Sequence, residues 1–332
     1  MRSNVLVALA LAVLVVGCGG SNNGGGGGSG GTGGGGGSGG TGGTGGGGGG
    51  TGGTGGSGGG GMIPPGTTMS RFIETSFSIP AGQEFYWCKE ITVPNDLAIV
   101  EIIPVSPLGV HHEVLAIDPG ATDGEYKCQA IGTNWTPLFA SGVGSPSLLT
   151  PPNVALKVTA GQHAVLNLHL FNATQNTITD TAAVDIVTAN DSSGYQFAGV
   201  PFVGNVTFTV PANMTVNGQC TVSNDTSYWG VFPHMHTTGA HMKVWTQSGG
   251  TNTTVWDSDY SFNEQKFGEY PNWMGPQLVP LKAGDKIMNT CNYSQAGVGK
   301  KFGDSTTDEM CFAISYVVPA ISTTLGTPFC VN

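Results

Sequence analysis

The chain has 332 residues, a net charge of -10 and only 11 Lys plus Arg, a balance that argues against a nucleic-acid partner and against a polybasic membrane patch. Glycine is concentrated in residues 19–61, so about 270 residues from Met62 onward remain to fold, enough for two ordinary domains or one large β domain. Cys18 aside there are six cysteines and no C-x-x-C pair, which leaves zinc ribbons and thioredoxin-like chemistry without support.

Arg2 followed by the apolar run Val5 to Val16 reads as an export signal over residues 1–17, because the run is shorter than the ~20 residues a spanning helix needs. The segment Val15-Val16-Gly17-Cys18 resembles the lipobox of bacterial lipoproteins, which implies acylation of Cys18; the alternatives are a plain signal peptide or a buried apolar start. Gly19, in place of an Asp, is similar to lipoproteins sorted to the outer membrane, so the expected location is the cell envelope, with the membrane reached through the lipid alone. Residues 18–61 have no side chains to bury and the highest backbone entropy to lose, so they are expected to form a flexible tether. At about 43 residues such a tether has an r.m.s. reach of about 36 Å.

From Met62 onward short β-rich runs are broken by Pro, Gly, Asn and Asp, with almost no helical periodicity. The runs Leu97–Ile103, Val154–Val158, Ala164–Leu170, Ala183–Val187, Val206–Val210, His241–Trp245 and Phe312–Val318 are the expected strands, and their spacing predicts an all-β chain of jelly-roll-like antiparallel sandwiches. In the run 163–170, Ala164, Leu166, Leu168 and Leu170 share one face by period two, while His163, Val165, Asn167 and His169 share the other. Gly, Pro and small residues between Ser193 and Gly204 mark a boundary, giving an N-terminal sandwich over 62–195 and a C-terminal one over 196–332.

Seven histidines carry the clearest chemical signal. His111 and His112 are adjacent at the start of an apolar run, His169 lies on the polar face of its strand, and His234-Met235-His236 forms an H-x-H. Within a strand, H-x-H sets both imidazoles on one face with Cα atoms about 7 Å apart, suited to chelating one metal. Adjacent residues point to opposite faces, so His111 and His112 can share a metal only where the backbone bends or bulges. Taken singly, each element is more often an ordinary surface or core histidine.

Their order along the chain is what distinguishes them. His111-His112, then Leu166-Asn167-Leu168-His169, then His234-Met235-His236-Thr237-Thr238-Gly239, then Asp308-Glu309-Met310-Cys311 resembles the type II copper, ascorbate-dependent monooxygenases. The resemblance implies two coppers, one held by His111, His112 and His169 for electron transfer, and one held by His234, His236 and Met310, where oxygen and substrate meet. It also implies O2 and ascorbate, or another single-electron donor, as co-substrates, and a monomer. A soft thioether favours Cu(I), the state that must meet oxygen. His163 and His241 have no role in the family and read as structural or solvent-facing. An even cysteine count in an exported chain suggests three disulfides. The pairs Cys291–Cys311 and Cys220–Cys330 are similar to disulfides of the family; Cys88 and Cys128 then remain to pair with each other, a departure from the family's more cysteine-rich N-terminal pattern.

Substrate specificity does not carry over. Where peptide-amidating members resemble one another in an Arg, an Asn and a Tyr that grip a carboxylate, this chain has Phe232, Phe312 and Ile314. A buried carboxylate would lack a charged partner there, so the expected substrate is a neutral or apolar molecule, whether small, peptide or lipid-like. The competing readings are surface copper binding without turnover, and a sugar-active hydrolase or lectin. The last needs paired carboxylates, for which Asp257, Asp259 and Glu264 are candidates in a stretch that reads as turns.

Overall fold

A computed structural model describes residues 64–332 apart from 131, 133, 143–144, 264–267, 270–277, 323–328 and 332. The expected signal over 1–17, the lipidation residue Cys18, the Gly-rich linker 18–61 and Glu264 lie outside the described residues. Alternating apolar residues and frequent turn formers give strands throughout: β1 (Thr67–Ile79), β2 (Glu84–Thr92), β3 (Leu97–Val105), β4 (Val110–Ile117), β5 (Gly124–Cys128), β6 (Thr136–Gly142), β7 (Leu148–Leu149), β8 (Val154–Val158), β9 (His163–Phe171), β10 (Ile178–Ala189) and β11 (Gln196–Phe197). They continue with β12 (Phe202–Gly204), β13 (Thr215–Thr221), β14 (Thr226–His234), β15 (Gly239–Ser248), β16 (Thr251–Asp259), β17 (Gly268–Glu269), β18 (Val279–Leu281), β19 (Lys286–Tyr293), β20 (Phe312–Val318) and β21 (Phe329–Val331). The protein is all-β, and a single 3-10 turn, Gln295–Gly297, is the one helical element among the described residues. No helix of these residues is long and apolar enough to cross a membrane.

Two sheets come from the strands up to Phe197, in the orders β1-β10-β3-β8-β11, with β7 on β3, and β5-β2-β9-β4-β6. Two more come from Phe202 onward, in the orders β17-β14-β20-β12-β21, with β18 on β14, and β13-β19-β15-β16. The pairs β11–β8 and β12–β21 are parallel and the rest antiparallel. All described residues fall in one compact unit, Thr54–Asn332, and the packing shows why. In β20 every residue is buried, because Phe312, Ile314, Tyr316 and Val318 join a core containing Leu115, Phe139 and Leu168 of the N-terminal sheets, while Ala313 and Val317 join the core of the C-terminal pair. The central sheet of the C-terminal half is thus covered on both faces.

Two expectations from the sequence need correction. Val206–Val210 is not a strand: Asn205 Oδ1 accepts the Thr207 N–H at 2.9 Å, a side-chain turn that competes with strand pairing, and only an isolated bridge, Thr209 to Lys301, remains. Conversely, Asp257 and Asp259, expected in turns, lie on β16.

One local device positions the site. Val110 N–H bonds back to the Pro107 carbonyl at 3.1 Å, closing a turn in which Gly109 has φ 99°, a conformation that disfavours any side chain. The strand then re-enters the sheet with a register shift between Val110 and His112, so Val110 faces Leu170, His112 faces His169, and His111 is the extra residue of a bulge. A Cβ on Gly109 would also come within 2.7 Å of the Ile79 side chain. Gly109→Ala is therefore expected to lower stability by about 1–3 kcal/mol through backbone strain; a urea midpoint unchanged from wild type would show that the turn does not need glycine.

Candidate metal centre

The bulge resolves the geometric problem of adjacent histidines, because it lets His111 and His112 project to the same side. Nδ1 of His112 lies 3.3 Å from Nδ1 of His111 and 3.3 Å from Nδ1 of His169 on the neighbouring strand. One ligand atom from each of the three falls within 4.8 Å of the others, and all three residues are buried. His169 Nε2 sits 2.8 Å from Glu84 Oε1, which places its proton on Nε2 and leaves the Nδ1 lone pair for the cluster. Lone pairs converging at these distances repel unless a proton or cation lies among them, and His111 Nε2 has no partner in its buried position. The donor set fits a metal that accepts imidazole nitrogen, copper among them.

Tautomer and charge favour the same conclusion. Burial lowers the His111 imidazole to about 4 and holds His112 well below its ordinary value, with the neighbouring imidazoles acting in the same direction. Metal binding requires the neutral ring, and burial supplies it. The hydrogen bond from His169 holds the Glu84 carboxyl below the usual carboxylate range. Tyr86, directly opposite His169 across β2 and β9, stacks on its ring at 4.6 Å and 15°. Phe262 stacks on His111 at 4.0 Å.

The second set of expected donors adjoins the first. His234 ends β14, and the strand stops there, so His236 lies in a turn rather than two residues further along a strand. The rings of His234 and His236 are 5.5 Å apart and nearly perpendicular, and the His234 ring is 5.2 Å from that of His112. Gly239 allows the turn to close: its N–H bonds to the His236 carbonyl at 3.0 Å, and a Cβ there would overlap Met235. Glu309, fully buried, accepts from the N–H groups of His236 (3.1 Å) and Thr238 (2.8 Å) and from the Thr238 hydroxyl (2.5 Å). Burial pushes its carboxyl pKa up, against the pull of those donors. Burial likewise lowers His236 to about 3, and its Nδ1 has no partner.

Met310 follows Glu309 and is 5% exposed. Its carbonyl accepts the Tyr293 hydroxyl at 2.8 Å, and Cys311 is bonded to Cys291, so the backbone on either side of the thioether is anchored. With His112 and His234, Met310 lines a cavity of about 40 Å³ whose other walls include Phe202, Phe232, Phe312 and Ile314. The cysteines pair as Cys88–Cys128, Cys220–Cys330 and Cys291–Cys311, with Cα atoms 5.9, 5.1 and 5.8 Å apart, inside the usual range for disulfides. Next to two of them stands a buried Asn: Asn167 Nδ2 is 3.2 Å from the Cys128 sulfur, and Asn289 Nδ2 is 3.2 Å from that of Cys311.

The remaining histidines are engaged elsewhere. His163 faces Asp123 at 3.4 Å, and His241 faces Asp257 at 3.1 Å. Asp257 also takes Lys243 at 3.0 Å, so it is neutralised rather than poised as one of a catalytic pair. Glu84, Tyr86, Phe262 and Thr238 were not legible as site residues. Their roles follow from strand register and loop contacts across 71 to 151 residues of sequence separation, from Thr238 to Glu309 at the near end to Phe262 and His111 at the far end, for which the sequence carries no local signal. The exception is Glu309, which stands inside a recognisable motif and whose burial beside Met310 was accessible in principle.

An all-β chain with a buried imidazole cluster is an arrangement that could hold a metal ion. Residues 198–330 match the family model of the copper type II ascorbate-dependent monooxygenase, C-terminal domain, which supports the resemblance read from the sequence. Likeness to solved structures is weak. PNGF-II is 8% identical, covering 77% of this chain at a TM-score of 0.30, and this chain spans 61% of that one. A β-porphyranase of glycoside hydrolase family 86 from Bacteroides plebeius is 10% identical, with 74% and 36% covered and a TM-score of 0.16. Dimeric latent PorU from Porphyromonas gingivalis is 8% identical, with 70% and 24% covered and a TM-score of 0.18. At these scores they carry no argument.

The role of Glu309 gives a direct test. Glu309→Ala would leave buried backbone donors unpaired and is expected to cost about 2–4 kcal/mol, with Glu309→Gln costing less. Urea unfolding of the metal-free protein measures both; equal midpoints for wild type and Glu309→Ala would refute the capping role.

Proposed function

We propose that the chain is a copper-dependent monooxygenase that hydroxylates an sp3 C–H bond of a neutral or apolar substrate, with O2 and a one-electron reductant such as ascorbate. The observation that carries this reading is the convergence of three buried imidazoles beside a second His pair and a methionine, in a chain whose C-terminal half carries the family's domain. In this reading His111, His112 and His169 hold one copper, while His234, His236 and Met310 hold the other, with the 62–195 and 196–332 segments acting as two domains that contribute one site each. Bound copper supplies one-electron redox chemistry and the activation of oxygen.

The chain's own residues position and protect. Glu84 fixes the His169 ring and its tautomer. Glu309 fixes the turn that presents His236. Tyr293 and the Cys291–Cys311 bridge hold the backbone at Met310. Phe202, Phe232, Phe312 and Ile314 exclude water from the cavity beside His234. Among the described residues lining that cavity there is no Lys or Arg, so a substrate carboxylate would enter without a counter-charge and pay its desolvation unrelieved. Attachment to the envelope through Cys18, with the chain working as a monomer, completes the proposal.

Copper analysis tests the ligand assignment. The full chain is expected to retain two coppers, and His169→Ala and Met310→Ala one each; undiminished copper in both variants would defeat the assignment. Turnover is tested separately, by mass spectrometry for one atom of labelled oxygen in product from panels of neutral and carboxylate substrates. Phe232→Arg is expected to lower the ratio of neutral to carboxylate hydroxylation by roughly tenfold or more, the scale of a single buried charge pair. Oxygen uptake without labelled product from any panel member would favour copper binding without catalysis.

A further inference from the structure

Between the two donor sets runs a contact path through Glu84 and Thr306. Glu84 uses one carboxylate oxygen for His169 Nε2 and the other for the Thr306 hydroxyl, which donates to Oε2 at 3.1 Å. The carbonyl of the same Thr306 accepts the Thr237 hydroxyl at 3.1 Å, and Thr237 is the neighbour of His236. Tyr86, stacked on His169, donates its hydroxyl to the Asp304 carbonyl at 3.2 Å. Residues 304–306 are therefore held on one side by two residues that touch His169 and on the other by the H-x-H turn. Three residues later the same segment supplies Glu309, which caps that turn, and then Met310.

We infer that Thr306 is a positioning residue that couples occupancy of the His111/His112/His169 site to the geometry, and so the copper affinity, of the His234/His236/Met310 site. This rests on the metal assignment proposed above. The physical step is local. A cation on Nδ1 of His169 polarises its Nε2–H and strengthens the bond to Glu84; an ordered Glu84 holds Thr306, and Thr306 restrains the segment leading to Met310 and the turn carrying His236. Filling the first site thereby removes part of the ordering cost at the second, which is positive coupling between sites.

The test is a double-mutant cycle in the full chain, read as Cu(I) affinity by competition with a colorimetric chelator, with copper alone as the probe. In the wild-type background, removing the first site with His169→Ala is expected to weaken the remaining site by roughly two- to thirty-fold, the range seen for residues that modulate coupling. In the Thr306→Val background, which keeps the shape and removes the hydroxyl, that difference is expected to vanish, and Thr306→Ser is expected to restore it. Hydrogen exchange of metal-free Thr306→Val should rise at residues 304–308 and stay at wild-type levels in β8, which separates a local effect from misfolding. The same affinity loss in the valine background as in wild type, or no loss in either, overturns the coupling while leaving two copper sites standing. A wild-type chain that binds no copper overturns the metal assignment and the coupling with it.

Discussion

Everything in this site depends on keeping imidazoles neutral and crowded in a place where water cannot reach them. An exposed histidine cluster at neutral pH would share protons with solvent, and its rings would rotate apart. Here Tyr86 stacks on His169 and Phe262 on His111, and Phe232 and Phe312 stand beside the second set. Burial drives protons off the rings, and the hydrogen bond to Glu84 decides which nitrogen of His169 stays free. The fold's task is to bring such rings together without an unsatisfied group undoing the core. Of the buried imidazole nitrogens without a hydrogen-bond partner among the described residues, His111 Nε2 and His236 Nδ1 lie among the expected donors and are atoms that a metal could satisfy, whereas His163 Nδ1 and His241 Nδ1 lie outside the site.

That constraint explains the architecture around it. A β-sheet presents alternate residues to one face, so adjacent donors on one strand point apart and donors two residues on stand about 7 Å apart at Cα. The chain departs from regular strand geometry at both places where it needs donors close together. One departure is the bulge at His111, launched by a turn through Gly109; the other is the end of β14 at His234, after which the turn closed by Gly239 carries His236. His169, on the regular strand β9, is met by the bulged strand β4 on one side and by the regular strand β2, with Tyr86 opposite it, on the other. The regular part of the fold supplies rigidity, and the irregular part supplies convergence.

The same distinction separates what was legible in the sequence from what was not. Phe312–Val318 was found to the residue because a continuous apolar run fits a strand buried on both faces, and Val154–Val158 because turn formers bracket it. On β9 the alternation correctly placed His169 with Asn167 on one face, although that face proved as buried as the other. Val206–Val210 had the composition of a strand and was claimed instead by Asn205, a one-residue competition that pattern counting does not weigh. The bulge at His111 was stated only as a condition, since nothing in His-His itself specifies it; the signal was two residues earlier, in Pro107-Leu108-Gly109. Glu84 and Thr306 had no signal at all, because their meeting is set by strand pairing and by a loop 222 residues away.

Among the described residues lining the cavity there is no Lys or Arg, which bears on how such a site would select its substrate. A charged anchor fixes a ligand by one strong, directional contact, and rejects neutral analogues because they leave the charge buried and unpaired. A wall of Phe202, Phe232, Phe312 and Ile314 discriminates by shape, and each methylene in an apolar pocket is worth roughly 10- to 200-fold, far less than a polar group that the site is built to pair. Selection by this chain would accordingly be broad, and position along the substrate would be fixed less by a distant grip than by how closely the wall fits beside His234 and Met310. The two features reinforce each other. A loosely selective pocket requires that the reactive centre be rigid, because the substrate is not, and the anchoring of Met310 by Tyr293 and the neighbouring disulfide, together with the Glu309 cap on the His236 turn, supplies rigidity at that point.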